Sequence, residues 1–93
     1  MKASGIVIKI LPDDVKGSRH QRFVVKTKSG KEVLINHNID IAPKLYGLKK
    51  GDKVEFLGEY QWNVYGGMVH WTHADPKGQH QDGWIKYQGR IYQ

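Results

Sequence analysis

The sequence contains no cysteine, no long apolar run and few acidic residues. Without cysteine the chain has no disulfide, no thiolate nucleophile and no cysteine-ligated zinc, so a bound metal ion would be held by nitrogen and oxygen atoms. No stretch approaches the ~20 apolar residues of a membrane-spanning helix. Nine Asp and Glu residues stand against 15 Lys and Arg, which gives a formal net charge of +6 over 93 residues. The length predicts a single domain over residues 1–93, and the charge favours anionic partners.

Residues 1–4 lead directly into a strand pattern and include no apolar segment of signal-peptide length. We therefore predict a cytoplasmic protein with no membrane span. The alternative is a periplasmic or secreted protein, if this chain is the trimmed mature form of a longer precursor.

Short stretches of alternating apolar and polar residues occur along the whole chain, separated by residues that favour turns. Such alternation is typical of half-buried β-strands and predicts an all-β fold. The pair Ser29–Gly30 predicts a tight hairpin between two of these stretches. Five strands are predicted, over residues 5–11, 19–28, 31–37, 53–62 and 68–73, followed by a C-terminal hairpin over residues 83–92.

Residues 40–48 combine a capping residue, Asp40, with Leu45 and Leu48 at helical spacing, and they predict a short helical plug between strands three and four. Gly58 predicts a bend or bulge in strand four. This order is that of a small five-stranded OB-like barrel, and an SH3-like barrel is the alternative. The predicted core consists of Ile6, Ile8, Ile10, Phe23, Val25, Val33, Ile35, Leu45, Leu48, Val54, Phe56 and Val69.

The second predicted strand has one apolar and one basic face. Phe23 and Val25 lie on the first, whereas Arg22 and Lys26 lie on the second. Guanidinium groups bind phosphates and carboxylates with paired hydrogen bonds, so this face is a candidate anion-binding surface. In the alternative interpretation, the two arginines at the start of the strand pair with the two aspartates of the preceding loop: Arg19 and Arg22 with Asp13 and Asp14.

Aromatic side chains could add to this surface, because nucleic acid bases stack on exposed rings. Trp62 and Trp84 lie beside glycines and polar residues and are predicted to be partly exposed, whereas Trp71 is predicted to face the core. Further rings are those of Tyr60, Tyr65 and Tyr87. The predicted ligand-binding residues are Arg19, His20, Arg22, Lys26, His37, Trp62 and Trp84.

Ionisable residues are densest between positions 70 and 82. Imidazoles and carboxylates can bind a metal ion or transfer protons near neutral pH, but their spacing here matches no standard zinc motif, and hydrogen bonding around a loop is the alternative. On a regular strand His70 and His73 face opposite sides, so they could share an ion only if the strand ends or bulges between them. The catalytic candidates are His70, His73, His80 and Asp82; the candidate ligands of a divalent metal ion, the one cofactor considered, are these four and Asp75.

Specific motifs run along nearly the whole chain: Gly5, Leu11-Pro12-Asp13-Asp14, Gly17-Ser18-Arg19-His20-Gln21-Arg22-Phe23, His37-Asn38-Ile39-Asp40, Ala42-Pro43, Gly58-Glu59-Tyr60-Gln61-Trp62-Asn63, Gly66-Gly67, His70-Trp71-Thr72-His73, Asp75-Pro76, Gly78, His80, Gly83-Trp84 and residues 89–92. With them the chain resembles the bacterial family DUF3465, a domain of unknown function. The resemblance implies no activity. Members often begin with an export signal, and small proteins of integron cassettes are similar in size and type.

Two functions from different classes are open at this point. The first, which we favour, is a binding module for single-stranded nucleic acid or another polyanion, through a basic and aromatic face of the barrel. The second is a small hydrolase or nuclease, with or without a bound metal ion, that uses the histidines and aspartates of residues 70–82. The second requires His73 and His80 to lie close together.

Overall fold

In the part of the chain that the structure describes, eight strands form one continuous sheet. The computed structural model describes residues 1–64 and 66–93, and within them it contains strands and turns but no helix. The sheet order is β5-β6-β3-β2-β1-β4-β7-β8, and every neighbouring pair is antiparallel except β3 and β6, which are parallel. The strands are β1 (Lys2–Asp14), β2 (His20–Thr27), β3 (Glu32–Asn38), β4 (Lys53–Leu57), β5 (Glu59–Gln61), β6 (Met68–His70), β7 (Trp84–Tyr87) and β8 (Arg90–Tyr92).

The sheet curls at Gly58, the single residue between β4 and β5. β4 pairs with β1, whereas β5 pairs with β6 at the other end of the sheet order, so the chain joins two distant parts of the sheet at this residue. A Cβ atom on Gly58 would lie 2.7 Å from the carbonyl oxygen of His70, so glycine permits a close backbone approach here. The all-β prediction and the predicted interruption at Gly58 are both confirmed.

The side chains of β1 that face the core are not the predicted isoleucines. Val7 is fully buried, whereas Ile6 is 43% and Ile10 45% exposed. Val7 lies opposite buried Val25 of β2, and the β1–β2 register then shifts between Val7 and Lys9. The prediction that Ile6, Ile8 and Ile10 form the core is therefore wrong, because pairing with β2 and the bulge set the parity, and alternation within one strand does not reveal either.

The remaining predicted core positions are buried or pack against the core. The C-terminal hairpin adds three residues that the prediction omitted, and Val7 replaces the isoleucines of β1. The buried cluster consists of Val7, Phe23, Val25, Val33, Ile35, Leu45, Val54, Phe56, Val69, Ile85, Tyr87 and Tyr92, with Leu48 packed against it.

Residues 40–48 form turns, so the prediction of a helical plug is wrong. Pro43 lacks a backbone N–H, and Gly47 has a φ of 78°, which is incompatible with a regular helix. The side chain of Gln21 instead binds the backbone of Leu45: its Nε2 donates to the Leu45 carbonyl, and its Oε1 accepts from the Leu45 N–H, each at 2.9 Å. Leu45 is 1% exposed, so the segment fills part of the core without a helix.

Both predicted hairpins are confirmed. In the β2–β3 turn the N–H of Gly30 donates to the carbonyl of Thr27 at 2.9 Å. In the β7–β8 turn Gln88 and Gly89 both have positive φ, at 52° and 77°, as a two-residue type I′ turn requires. Among the residues that the structure describes, no helix has the length and apolar character needed to cross a membrane.

Candidate functional site

The candidate site begins where β6 ends. β6 stops at His70, three residues earlier than predicted, because the backbone of Trp71 has a φ of 55°, outside the extended region. The break changes the parity of the side chains that follow. Trp71 is 42% exposed and Thr72 is fully buried, so the prediction that Trp71 faces the core is wrong.

A cleft of about 520 Å³ lies beside this break. Asn36 and Asn38 alternate with the buried residues Ile35 and His37, so they contribute from the outer face of β3. The far wall comes from the segment after β6. The cleft is lined by four histidines, His20, His70, His73 and His80, together with Asn36, Asn38, Ile41, Trp71, Asp75, Pro76, Lys77 and Gln79.

Three of the four cleft imidazoles have a defined tautomer. Each has its Nδ1 within hydrogen-bonding distance of a backbone carbonyl: His20 with Ser18 at 2.9 Å, His73 with Ala74 at 2.8 Å and His80 with Gln81 at 2.7 Å. A carbonyl only accepts hydrogen bonds, so Nδ1 is the protonated donor in each ring. Nε2 is therefore the atom that accepts a proton, or a hydrogen bond, in the neutral form.

The aromatic rings of the cleft form one contacting group. Trp71 is stacked on His80, with centroids 4.5 Å apart and planes 8° from parallel. His70 lies 4.7 Å from Trp71 at an angle of 40°, and His73 lies 5.3 Å from His80 in an edge-to-face arrangement. The structure thus brings His70, His73 and His80 together, which is the convergence that the hydrolase hypothesis requires.

Asp75 organises the loop that carries His80. Its carboxylate accepts the N–H groups of Lys77 at 2.9 Å and His80 at 2.7 Å, and also that of Gln79. It also lies 3.8 Å from His80 Nε2. Burial by itself would raise the pKa of Asp75, but these hydrogen bonds outweigh it and hold the pKa below its ordinary value. Asp75 is therefore an ionised carboxylate that fixes the loop.

Asp82 lies outside the cleft. It is exposed, and its Oδ1 accepts the N–H of Asp75 at 2.8 Å. Over residues 1–64 and 66–93, no group of three or more His, Asp or Glu side chains lies where it could hold one metal ion. The metal assignment of residues 70–82 stays a prediction, and we base no chemistry on it.

His37 lies beneath the cleft and is fully buried. Its Nε2 donates to the carbonyl of Pro43 at 2.9 Å, so its Nδ1 must accept from the hydroxyl of Thr72 at 2.8 Å. Burial lowers the pKa of His37 to about 4, which makes it a neutral structural support. Burial likewise lowers the pKa of His70, and the neighbouring His80 adds to this effect.

The predicted basic residues are not gathered at one point. Arg19 forms a 2.7 Å ion pair with Asp40, and Arg22 donates from Nε and Nη2 to the carbonyl of Pro12, at 3.1 and 2.9 Å. The alternative pairing of these arginines with the aspartates of the preceding loop is therefore wrong. Arg22 lies opposite Asn36 in the β2–β3 register, on the outer face beside the cleft, whereas Lys26 lines a different groove.

Neither of the predicted ligand-binding tryptophans lines the cleft. Trp62 is 71% exposed just after β5, and Trp84 is half-buried in β7. Tyr87 is buried and donates to Asp52 at 2.6 Å, and Tyr65 lies outside the described residues. The predicted roles of Trp62 and Trp84 in ligand binding stay predictions.

Three amides of the cleft, Asn36, Asn38 and Gln79, were not among the predicted site residues. Asn36 Oδ1 is a buried side-chain oxygen without a hydrogen-bond partner in the part of the chain that the structure describes. A signal was available in the sequence: Asn36 and Asn38 alternate with apolar residues in the strand that forms a hairpin with His20. Alternation alone therefore places both amides on the same side as His20.

A family model described as "Protein of unknown function (DUF3465)" matches residues 1–93, the whole chain. The resemblance inferred from the motifs is thereby confirmed. No curated protein and no solved structure matches the chain. The compartment and the integron association stay predictions.

Proposed function

The chain belongs to the DUF3465 family of proteins of unknown function, and from its histidine cleft we propose that it is a binding module for single-stranded nucleic acid. One observation carries the proposal: Trp71, a partly exposed indole stacked on His80, lies in the same cleft as three further imidazoles. A flat ring beside several hydrogen-bonding imidazoles, with the guanidinium of Arg22 on the neighbouring outer face, matches the two parts of a nucleotide, its base and its phosphate.

The Trp71–His80 stack is the proposed contact for a base. Stacking on an aromatic side chain contributes about 1–3 kcal/mol per base and tolerates any sequence. Because His80 is itself fixed through its Nδ1–H and through the Asp75 loop, the stack is held in place before a ligand arrives. A preorganised ring loses little conformational freedom on binding.

Arg22 is the proposed contact for a phosphate, and the imidazoles of His20 and His73, whose Nε2 atoms accept hydrogen bonds in the neutral form, are the proposed contacts for the amino groups of bases. His20 and Arg22 alternate with buried residues along β2, so they share its outer face. The Pro12 carbonyl holds the Arg22 guanidinium through two nitrogens, which fixes its position beside the cleft. Together with the net charge of +6, this arrangement favours an extended polyanion that crosses β2 and β3.

We further propose that the curled sheet is an OB-like barrel. The pairings run β1-β2-β3-β6-β5, and Gly58 connects β5 to β4, which pairs with β1, so the strands form a closed circuit. Leu45 fills the core between strands β3 and β4, the position where the OB order has its plug. OB-folds bind oligonucleotides across the face of their second and third strands, which here contribute His20, Asn36 and Asn38 to the cleft. The SH3-like alternative offers no comparable role for this segment.

The hydrolase or nuclease hypothesis has weaker support. Asp82 lies outside the cleft lining, and the Asp75 carboxylate is already used by three backbone N–H groups. His80 Nε2 lies near Asp75 at 3.8 Å and is less available to a substrate. The convergence of the histidine rings does not favour a hydrolase, because a binding site requires the same convergence.

Fluorescence anisotropy with a labelled single-stranded oligonucleotide tests the proposal. We expect binding that weakens as salt concentration rises, and a lower affinity for Arg22→Ala with a smaller salt dependence, because a phosphate contact is lost. Lys86→Ala is the matched control, since it removes the charge of one exposed side chain of β7, outside the cleft lining. Absence of binding at low salt, or equal losses in both variants, contradicts the proposal.

A further inference from the structure

A second groove lies on the outer face of the sheet, over β1, β2 and β4. It has a volume of about 590 Å³ and a predominantly apolar lining. Its lining includes Ile6 and Ile8 of β1 and the three lysines Lys26, Lys28 and Lys53. None of these residues lines the histidine cleft, so the groove is a separate surface.

The apolar part of the groove follows from the parity of β1. Val7 faces the core, so Ile6 faces outwards and is 43% exposed, while Ile8 is half-buried at the register shift. Ile6 and Ile8 together form an apolar stripe in the groove, whereas Ile10 lies beyond the register shift, opposite Phe23, and is not part of the groove lining. Contiguous exposed apolar surface of this kind marks an interaction site more often than isolated residues do.

Lysines surround this stripe. Ile6 lies opposite Lys26 of β2 and Lys53 of β4, so the three side chains share one face across three strands. Asp and Glu are absent from the groove lining. Within residues 1–64 and 66–93, the ion pairs found involve other residues. Lys26 lies opposite Glu32 in the β2–β3 register, so Lys28 and Lys53 are the lysines whose charge the groove offers most fully.

We propose that this groove docks the protein onto an anionic lipid surface, with Ile6 and Ile8 at the acyl boundary and the lysines at the headgroup phosphates. Apolar residues surrounded by lysines suit this interface, because lysine stems extend along apolar surface while their ammonium groups stay in the polar layer. An acidic peptide is a poorer occupant. β1 is paired on both sides, so it offers no free edge for a peptide strand, and the groove contains no arginine fork to bind carboxylates in pairs.

Vesicle co-sedimentation of the full chain tests the proposal. Phosphatidylcholine vesicles are compared with vesicles that also contain phosphatidylglycerol, at low and at high salt. We expect binding to the anionic vesicles alone, weakened by salt. Since each lysine near an anionic surface contributes about a fivefold change in affinity, Lys28→Ala/Lys53→Ala is expected to bind roughly 25-fold more weakly, and Ile6→Ser/Ile8→Ser is expected to bind several-fold more weakly.

The neighbouring strands β7 and β8 supply matched controls. Ile91 is 45% exposed, a fraction similar to the 43% of Ile6. It lies opposite Lys86 in the β7–β8 register. Ile91→Ser and Lys86→Ala should leave vesicle binding within about twofold of the unmodified chain, because they change the same residue types outside the groove. Thermal unfolding of each variant establishes that it is folded.

Three results would overturn the proposal. The first is no binding to anionic vesicles. The second is an equal loss in the groove variants and in the Ile91→Ser and Lys86→Ala controls. The third is tight binding of polyglutamate with no vesicle binding, which would identify the groove as a site for an acidic protein segment.

Discussion

The indole of Trp71 lies almost parallel to the imidazole of His80, with 4.5 Å between the ring centroids. The two residues are nine positions apart, and the positive φ of Trp71 that ends β6 also brings its ring out of the core. One backbone feature thus ends a strand and forms the aromatic part of the cleft. The stack is the part of the site that the proposed function depends on most directly.

Replacing Trp71 with alanine should weaken oligonucleotide binding by roughly 5- to 150-fold, which corresponds to the loss of about 1–3 kcal/mol of stacking. Trp71→Phe should recover most of the affinity, since it keeps a ring. Anisotropy titrations measure both. Trp62→Ala is the control, because Trp62 is more exposed but lies outside the cleft lining. A larger loss for Trp62→Ala than for Trp71→Ala would contradict the assignment.

The success of the sequence-based prediction depended on how local the determinants were. The hairpin at Ser29–Gly30 and the alternation of β2 depend on neighbouring residues, and both were predicted correctly. The parity of β1 depends on pairing with strands far away in the sequence, and the burial of Ile6 was therefore predicted wrongly. Leu45 was predicted to be in the core, but its conformation is fixed by Gln21, 24 residues earlier in the chain.

In the candidate site, too, the local features were predicted and the features that depend on tertiary structure were not. The cluster of histidines was recognised from composition, and the requirement that β6 end or bulge between His70 and His73 was stated from parity. The sequence did not indicate that the strand ends at Trp71. The end depends on tertiary structure, because Gly58 and Gly83 closely approach the backbone of residues 70–72.

Acid should destabilise the protein through His37. Its pKa is about 4 in the folded chain, against an ordinary value of 6.5. Between these values the unfolded chain binds a proton that the folded chain does not, so the free energy of unfolding falls as pH falls from about 7 to 4 and is insensitive to this group above pH 7. The difference corresponds to about 3 kcal/mol.

Urea unfolding at a series of pH values measures this effect. In His37→Gln the decline between pH 7 and 4 should be shallower, although His70, whose pKa is also lowered, leaves part of it in place. An unchanged pH dependence in His37→Gln would mean that the buried imidazole is not the group responsible.

Gly83→Ala should destabilise the fold strongly. A Cβ atom at this position would lie 2.1 Å from the carbonyl oxygen of Trp71 and 2.6 Å from that of Leu57, and both are backbone atoms that cannot move independently. We expect a loss of about 3 kcal/mol or more in thermal or chemical unfolding. Gly78→Ala is the control: its Cβ meets nothing within 4 Å, and only its φ of 65° opposes alanine, at about 1–2 kcal/mol. Equal losses in the two variants would contradict the close packing at Gly83.

Asp75→Ala should loosen the loop without unfolding the sheet. Three backbone N–H groups lose their acceptor, so amide hydrogen exchange at Lys77, Gln79 and His80 should accelerate by at least about tenfold. Exchange at Phe23 and Val25 in the core should be unchanged. Asp82→Ala, which removes the acceptor of one N–H only, should have a smaller effect. Unchanged exchange in Asp75→Ala would show that the loop is held by other contacts.

Contact between the histidine cleft and nucleic acid is tested most directly by recording the imidazole NMR signals during titration with a single-stranded oligonucleotide. We expect the ring signals of His20, His70, His73 and His80 to shift together and to saturate at the stoichiometry of binding, since all four line one cleft. Buried His37 should shift much less. If the oligonucleotide binds while these four signals stay unchanged, the cleft is not the binding site and the proposed function is wrong.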